Sequence, residues 1–164
     1  MIAPTRKDPL LGKKGPAFVL PDQGGNPVRL ASYRGRILVL YFYPKDFTSG
    51  CTLEARDFGA QYRALRAAGA EVAGVSRDGV ARHRAFATRY RLPFRLLADE
   101  DAATCRAWKA YGKKSLYGSD YMGIIRSTFI LDGNGMIRQV YRNVKVRGHA
   151  AAVLAAVREL RTRA

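Results

Sequence analysis

The side chain of this sequence best placed for nucleophilic chemistry is Cys51. It comes at the start of a helical pattern, after the apolar run of residues 37–43 and the break at Pro44. A thiol in the first turn of a helix faces unpaired backbone N–H groups and the positive end of the helix dipole, and both favour the thiolate. Thr48, one turn earlier, can direct its hydroxyl to the same place. The position therefore predicts a reactive thiol, and the alternative is a small buried packing residue.

The second cysteine, Cys105, has a different setting. It flanks an apolar and aromatic stripe made by Thr104, Trp108 and Tyr111, which favours a packing role. Two cysteines this far apart form no disulfide framework, so we expect a reducing compartment, most simply the cytoplasm. The chain has no Cys-x-x-Cys pair, which disfavours a disulfide oxidoreductase of the thioredoxin kind.

The other residues that could hold a metal or a cofactor are few and scattered. His83 falls on the inner face of a predicted helix, and His149 begins another, so both suit packing or capping. Cysteines and histidines at these positions give no zinc or iron spacing. The glycine pairs near positions 24 and 133 are typical of turns, because neither leads into a phosphate-binding fingerprint. We therefore expect no metal and no cofactor.

The charge of the chain is strongly basic. Lysine and arginine number 29 against 13 acidic residues, for a formal net charge of +16. Such an excess raises nucleic acid as a partner, since phosphate neutralisation drives non-specific binding. The basic residues are interleaved with apolar ones and form no long run of like charge, so a solvated surface with weak non-specific contacts is favoured. No apolar stretch approaches the roughly 20 residues of a membrane span, and we expect no membrane contact.

Several elements must position Cys51. Apolar runs predict strands over residues 37–43, 71–76, 94–98, 127–131 and 136–141. Apolar residues at helical spacing predict helices from residue 51 to before Gly69, over 80–90, from the acidic residues 99–101 onward, and over 149–161. Two short runs, 18–20 and 28–30, predict an N-terminal hairpin. Together they predict one α/β domain over residues 1–164, a sandwich with a mixed central sheet flanked by helices and an added N-terminal hairpin.

Two stretches of the chain resemble the active site of the peroxiredoxins. The segment YFYPKDFTSGCTLEARDF is similar to the family's Pro-x-x-x-Thr-x-x-Cys motif, which Pro44, Thr48 and Cys51 meet. The later segment MGIIRSTFILD resembles the stretch that carries the family's active-site arginine, here Arg126. Further similar stretches, FVLPDQGGNPVRL, RLPFRLLADED and VKVRGHAAAVL, extend the resemblance over nearly the whole chain. Within the family, the sequence resembles the bacterioferritin comigratory protein subfamily.

This resemblance implies a thioredoxin-like fold and a thiol-dependent peroxidase, an oxidoreductase acting on hydrogen peroxide and organic hydroperoxides. Cys51 would attack the peroxide and become a sulfenic acid. Arg126 would supply a permanent positive charge and donate to the peroxide oxygens. The Thr48 hydroxyl would orient the peroxide, and Pro44 would offer an apolar wall that lacks an N–H. The resemblance also implies a monomer.

The sequence departs from the subfamily at its resolving cysteine. Arg56 occupies the usual position, five residues after Cys51, and residues 80–90, where other members carry theirs, contain no cysteine. Cys105 is the one remaining candidate, and a disulfide to it would need the first turn of the Cys51 helix to unwind. We therefore expect a one-cysteine cycle in which thioredoxin or another external thiol reduces the sulfenic acid. A redox sensor and a basic nucleic-acid-binding protein on the same scaffold remain as alternatives.

Overall fold

Strands and helices alternate along most of residues 3–163, the part of the chain that the computed structural model describes. The strands are β1 (Val19–Pro21), β2 (Pro27–Arg29), β3 (Ile37–Phe42), β4 (Ala70–Ser76), β5 (Arg95–Ala98), β6 (Tyr111–Leu116), β7 (Ser119–Ile124), β8 (Ser127–Leu131) and β9 (Ile137–Arg142). The helices are α1 (Ser49–Ala67), α2 (Val80–Tyr90), α3 (Ala103–Ala107) and α4 (His149–Arg163). None of the helices described is both long and apolar enough to cross a membrane.

The central sheet has five strands in the order β5-β4-β3-β8-β9. β3, β4 and β5 run parallel, and β8 and β9 are antiparallel, so the sheet is mixed. β1 and β2 form a separate two-stranded hairpin near the N-terminus. The predicted α/β sandwich with a mixed sheet and an added N-terminal hairpin is therefore confirmed.

Each face of the central sheet covers its own hydrophobic core. Successive side chains of a strand point to opposite faces, so Val39 and Tyr41 of β3 enter one core while Leu38, Leu40 and Phe42 enter the other. The first core is closed by α1, α4 and part of α2, and it contains Cys51. The second is closed by the N-terminal segment and α3, and it contains Cys105. The sheet therefore lies between the two thiols.

The predicted acidic first turn of the helix after residue 98 is wrong. α3 is only five residues long, and the acidic residues precede it. Asp99 nevertheless serves the helix, because its carboxylate accepts the backbone N–H groups of Thr104 and Cys105 at 3.2 and 2.7 Å. A buried carboxylate placed before the helix thus satisfies the free N–H groups of its first turn.

The hairpin formed by β6 and β7 was missed by the sequence analysis. Its two strands pair antiparallel and are joined by Tyr117 and Gly118, both with positive φ. Apolar side chains on it, such as Leu116 and Met122, are exposed, so the segment lacks the alternation that marks a half-buried strand. The hairpin leads into Arg126 and so borders the candidate site.

Candidate active site

The first turn of α1 carries Cys51, as predicted. β3 ends at Phe42, a short loop follows, and α1 begins at Ser49 with Thr48 in the extended N-cap position. Cys51 is the third helical residue, so its thiol lies among the backbone N–H groups that have no partner within the helix. The residue is a free cysteine and only 1% exposed. Access to its sulfur is therefore restricted to small molecules while the first turn stays helical.

Arg126 contacts the sulfur of Cys51. It stands immediately before β8, the antiparallel neighbour of β3, and its Nη2 donates to Cys51 Sγ at 3.4 Å. Gly50 gives the guanidinium room, since a Cβ at that position would lie 3.2 Å from Nη2. A fixed positive charge and a hydrogen-bond donor therefore face the sulfur directly.

Glu54 is a site residue whose burial the sequence did not predict. It is buried and pairs with Arg126, whose Nη1 donates to Glu54 Oε1 at 2.6 Å. Burial raises the pKa of the Glu54 carboxyl to about 7, although Arg126 acts in the opposite direction. The spacing of one helical turn from Cys51 was the available signal. Glu54 fixes the orientation of Arg126. The guanidinium of Arg126 thus contacts both the Glu54 carboxyl and the Cys51 sulfur.

Thr48 and Pro44 both lie in the loop that leads from β3 into α1. Thr48 is exposed, and its hydroxyl donates to the backbone carbonyl of Lys45 at 2.8 Å rather than to the thiol. Its oxygen keeps lone pairs that can accept a hydrogen bond from a bound peroxide. Pro44 is half-buried and directly follows the end of the buried strand segment. The loop therefore keeps both residues close to Cys51 in sequence, and the Thr48 hydroxyl is not bonded to the thiol.

The floor of the site is aromatic. Tyr41 of β3 is fully buried and stacks on Phe58 of α1 with ring centroids 4.8 Å apart. Burial, together with the negative charges of Glu54 and Cys51, raises the pKa of the Tyr41 hydroxyl well above its usual value. Tyr41 therefore stays neutral, and it belongs with Phe58 to the same hydrophobic core as Cys51.

Lys114 of β6 brings a second positive charge to the site. Its Nζ donates across the hairpin to the carbonyl of Ile124 at 2.9 Å, two residues before Arg126. Burial and Arg126 lower the pKa of Lys114, and the Cys51 sulfur raises it, so the ammonium and the sulfur interact electrostatically. A positive charge near the sulfur can also stabilise negative charge that develops there during a reaction.

Comparisons with known proteins agree with this geometry. The AhpC/TSA family model matches residues 11–140. The peroxiredoxin Bcp of Xanthomonas campestris is 44% identical to this chain over 92% of it and 96% of that protein. The Bacillus subtilis peroxiredoxin Bcp is 39% identical, covering 92% of this chain and 96% of that protein.

The chain belongs to the peroxiredoxins of the AhpC/TSA family.

Solved structures bear out the thioredoxin-like peroxiredoxin fold of the chain. The bacterioferritin comigratory protein of X. campestris, whose structures were studied for alkyl peroxide reduction, has a TM-score of 0.84 and 44% identity. That match covers 88% of this chain and 92% of the other. A Xylella fastidiosa PrxQ mutant gives 0.83 at 34% identity and covers 97% of both chains. The peroxiredoxin described here is thus a thiol peroxidase of the Bcp subfamily, an oxidoreductase whose substrate is a peroxide and whose partner is a thiol reductant.

We expect Lys114→Met to slow the reaction of this peroxiredoxin with hydrogen peroxide by about threefold to tenfold, because one positive charge near the reacting sulfur is lost. Lys113→Met is the matched control, since Lys113 is the neighbouring residue on β6 and pairs with Asp120 at 3.0 Å on the exposed hairpin. Stopped-flow measurement of the peroxide reaction checks it. Equal rates in the two variants would contradict a role for the Lys114 charge.

Cys105 lies away from this site, in the core on the other face of the sheet. It is fully buried, more deeply than the semi-buried packing position that the sequence suggested. Burial and the nearby Asp99 carboxylate raise the pKa of the Cys105 thiol above its ordinary range. Cys105 is therefore a protonated thiol in the described structure, which is the unreactive form.

One cluster of potential metal ligands occurs within residues 3–163. It consists of Asp46, Asp78 and His83, whose donor atoms lie within 4.8 Å of one another. These atoms already hydrogen-bond to one another and to their neighbours, including a 2.6 Å contact between His83 Nδ1 and Asp46 Oδ2. His149 is also buried and contacts the Thr128 hydroxyl at 2.8 Å. Both histidines thus serve in internal contacts.

Proposed function

We propose that Cys51 is the residue of this thiol peroxidase that attacks the peroxide, and that hydrogen peroxide and organic hydroperoxides are both substrates. The observation that carries the assignment is the 3.4 Å contact from Arg126 to a thiol in the first turn of α1. This contact combines two sources of positive potential at one sulfur. Intact-mass and peptide analysis after one equivalent of hydrogen peroxide tests it, with one added oxygen on Cys51 as the expected product.

In the proposed reaction the Cys51 thiolate attacks one peroxide oxygen. A sulfur–oxygen bond forms, the oxygen–oxygen bond breaks, and the leaving oxygen takes a proton from solvent to become water or an alcohol. Arg126 and the free N–H groups of the first turn of α1 stabilise the charge that grows on the leaving oxygen. Thr48 accepts a hydrogen bond from the peroxide, and Pro44 provides the apolar wall of the opening. Cys51 is left as a sulfenic acid.

We propose a one-cysteine cycle for the return of Cys51 to the thiol. An external thiol condenses with the sulfenic acid to give a mixed disulfide and water, and a second thiol releases Cys51 and leaves as the oxidised disulfide. Thioredoxin or another thiol reductant fits this role. Arg56 at the usual resolving position, a cysteine-free α2, and the placement of Cys105 in the opposite core all support it.

We expect Cys105→Ser to keep at least about half of the turnover with a small dithiol as reductant. The sheet separates Cys105 from Cys51, and a disulfide requires Cα atoms within about 7 Å. Steady-state peroxide consumption measures the effect, with circular dichroism as the control for folding, because the new hydroxyl is buried. A disulfide between the two cysteines in peroxide-treated protein, with turnover lost in the folded variant, would instead identify Cys105 as the resolving residue.

The alternative functions differ in one measurable property each. A redox sensor would form the same sulfenic acid but would turn over poorly with thiol donors. The net charge of +16 suggests a nucleic-acid-binding role as the second alternative. Such a protein would bind nucleic acid in a salt-sensitive way, and the binding would survive Cys51→Ser. Catalytic turnover is favoured over both, and weak non-specific nucleic-acid contact is compatible with it. We further propose a monomer in a reducing compartment such as the cytoplasm, where the thiol reductants of the cycle are maintained.

A further inference from the structure

A buried polar network lies behind the loop that connects β3 to α1. Asp46 of this loop is fully buried, and each of its carboxylate oxygens has a partner. The Tyr43 hydroxyl donates to Oδ1 at 2.5 Å, and His83 Nδ1 lies 2.6 Å from Oδ2. The peroxide chemistry proposed above uses none of these three side chains.

The proton count of this network follows from its geometry. His83 Nε2 lies 3.1 Å from the carbonyl oxygen of Leu97, and a carbonyl can only accept, so Nε2 carries a proton. A second proton must lie between His83 Nδ1 and Asp46 Oδ2, because two lone pairs at 2.6 Å would repel. The pair is thus neutral overall, and its hydrogen bonds are complete in a region where an unmet one would be costly.

The backbone of Asp46 is held as firmly as its side chain. Its N–H donates to Asp78 Oδ2 at 2.8 Å, and its carbonyl accepts from Arg82 Nη2 at 3.2 Å. Arg82 and Asp78 also form an ion pair at 3.2 Å, and Ser76 donates to Asp78 at 2.6 Å. The cluster therefore has its donors and acceptors engaged by protein groups, and it joins the loop to α2 and to the end of β4.

Asp46 stands midway along the chain between Pro44 and Thr48. Pro44 lies two residues before it and Thr48 two residues after it, and Phe47 between Asp46 and Thr48 has φ of 68°. A non-glycine residue in the left-handed region is held there by its surroundings. The contacts of Asp46 therefore anchor the loop close to the point at which the chain enters α1.

We propose that Asp46 is a positioning residue of the peroxide site, acting through the buried network with Tyr43 and His83 to hold the loop that carries Pro44 and Thr48. This inference rests on the proposed role of Cys51. Its mechanism is orientation: a catalytic geometry displaced by about 1 Å can cost about 100-fold in rate.

The restraint of the loop at Asp46 should have opposite effects on the two half-reactions, peroxide attack by Cys51 and reduction of its sulfenic acid. Peroxide attack needs the closed arrangement in which Arg126 and the first turn of α1 surround the sulfur. Reduction by an external thiol needs a larger opening, because Cys51 is only 1% exposed. Loosening the loop should therefore slow the first half and speed the second. Destabilisation at a position remote from the loop is therefore measured separately.

The test compares both half-reactions by stopped flow in wild-type protein, Asp46→Ala, Asp46→Asn and Tyr43→Phe. Asp46→Ala should react with hydrogen peroxide about tenfold more slowly, and its sulfenic acid should react several-fold faster with dithiothreitol. Asp46→Asn should stay near wild type, since an amide can accept from Tyr43 and donate to His83 Nδ1. Val157→Ala is the control for destabilisation, as Val157 is buried on α4.

The outcomes separate this inference from the proposed function. A wild-type protein that does not react with peroxide at Cys51 would overturn the proposed function. A reactive wild type with unchanged half-reactions in Asp46→Ala would overturn the positioning role, and so would slowing of both halves in Asp46→Ala. If Asp46→Ala does not fold, Tyr43→Phe decides, because it removes a single hydroxyl. A smaller shift in the same two directions supports the inference, and no shift overturns it.

Discussion

Cys51→Ser is expected to reduce peroxide consumption to the rate of the buffer and reductant alone. Serine has no group that ionises near neutral pH, so the nucleophile is lost although the Arg126 contact can be kept by the hydroxyl. The change is nearly isosteric at a site that already faces polar groups, and we expect the free energy of unfolding to change by about 1 kcal/mol or less. Peroxide consumption with dithiothreitol and urea-induced unfolding measure the two effects.

The matched control for this result is Cys105→Ser, which removes a buried thiol of the same kind from the other core. Both substitutions replace a buried cysteine by serine, so a difference in peroxide consumption between them is due to the position of the thiol. Turnover retained in folded Cys51→Ser would sink the assignment of the nucleophile. Cys105 would then be the remaining candidate nucleophile, and its burial would have to be relieved for peroxide to reach it.

Arg126→Ala is expected to slow the peroxide reaction by about 100- to 1,000-fold. The change removes a fixed charge beside the sulfur and a donor to the oxygen that develops charge, and loss of one such donor costs about this much in other enzymes. Arg126→Lys should lose less, because it keeps a positive charge while losing the planar fork that reaches both Cys51 and Glu54. The rate constant with hydrogen peroxide is the measurement.

The ultraviolet absorbance of the thiolate against pH gives an independent readout. Both Arg126 variants should form the thiolate at higher pH than wild type, and the alanine variant should be displaced further. Glu54→Gln is the companion control, since an amide oxygen can still accept from Arg126 Nη1 and keep its orientation while the carboxyl is removed. A titration curve and a rate unchanged in Arg126→Ala would place Arg126 outside the chemistry.

The elements around Cys51 were predictable because their signals are local. The continuous apolar run of β3 and the helical spacing of α1 are both visible within about 20 residues, and Cys51 lies at the junction between them. Glu54 was visible as a neighbour one turn away, but its burial was not. A helix pattern gives the direction of a side chain, and burial depends on what other elements cover.

The features of the site that were not predicted from the sequence depend on contacts between distant parts of the chain. Asp46 and His83 are far apart in sequence, and neither has a local pattern that marks its partner. Lys114 reaches the site only because β6 pairs with β7, and that hairpin is held by main-chain hydrogen bonds between mostly exposed residues. Side-chain patterns in a sequence indicate burial more clearly than they indicate main-chain pairing between exposed strands. Lys114 was therefore not predicted to lie near the sulfur.

If the proposed one-cysteine cycle holds, the sheet between Cys51 and Cys105 limits the lifetime of the active protein under peroxide. Under the one-cysteine cycle, the sulfenic acid has no thiol within its own core to collide with, so its lifetime depends on how much thiol the surroundings supply. A second peroxide competes for the same sulfur, and the sulfinic acid it forms is not reversed by ordinary thiols. The fraction of protein that stays active would then decrease as the ratio of peroxide to available thiol reductant increases.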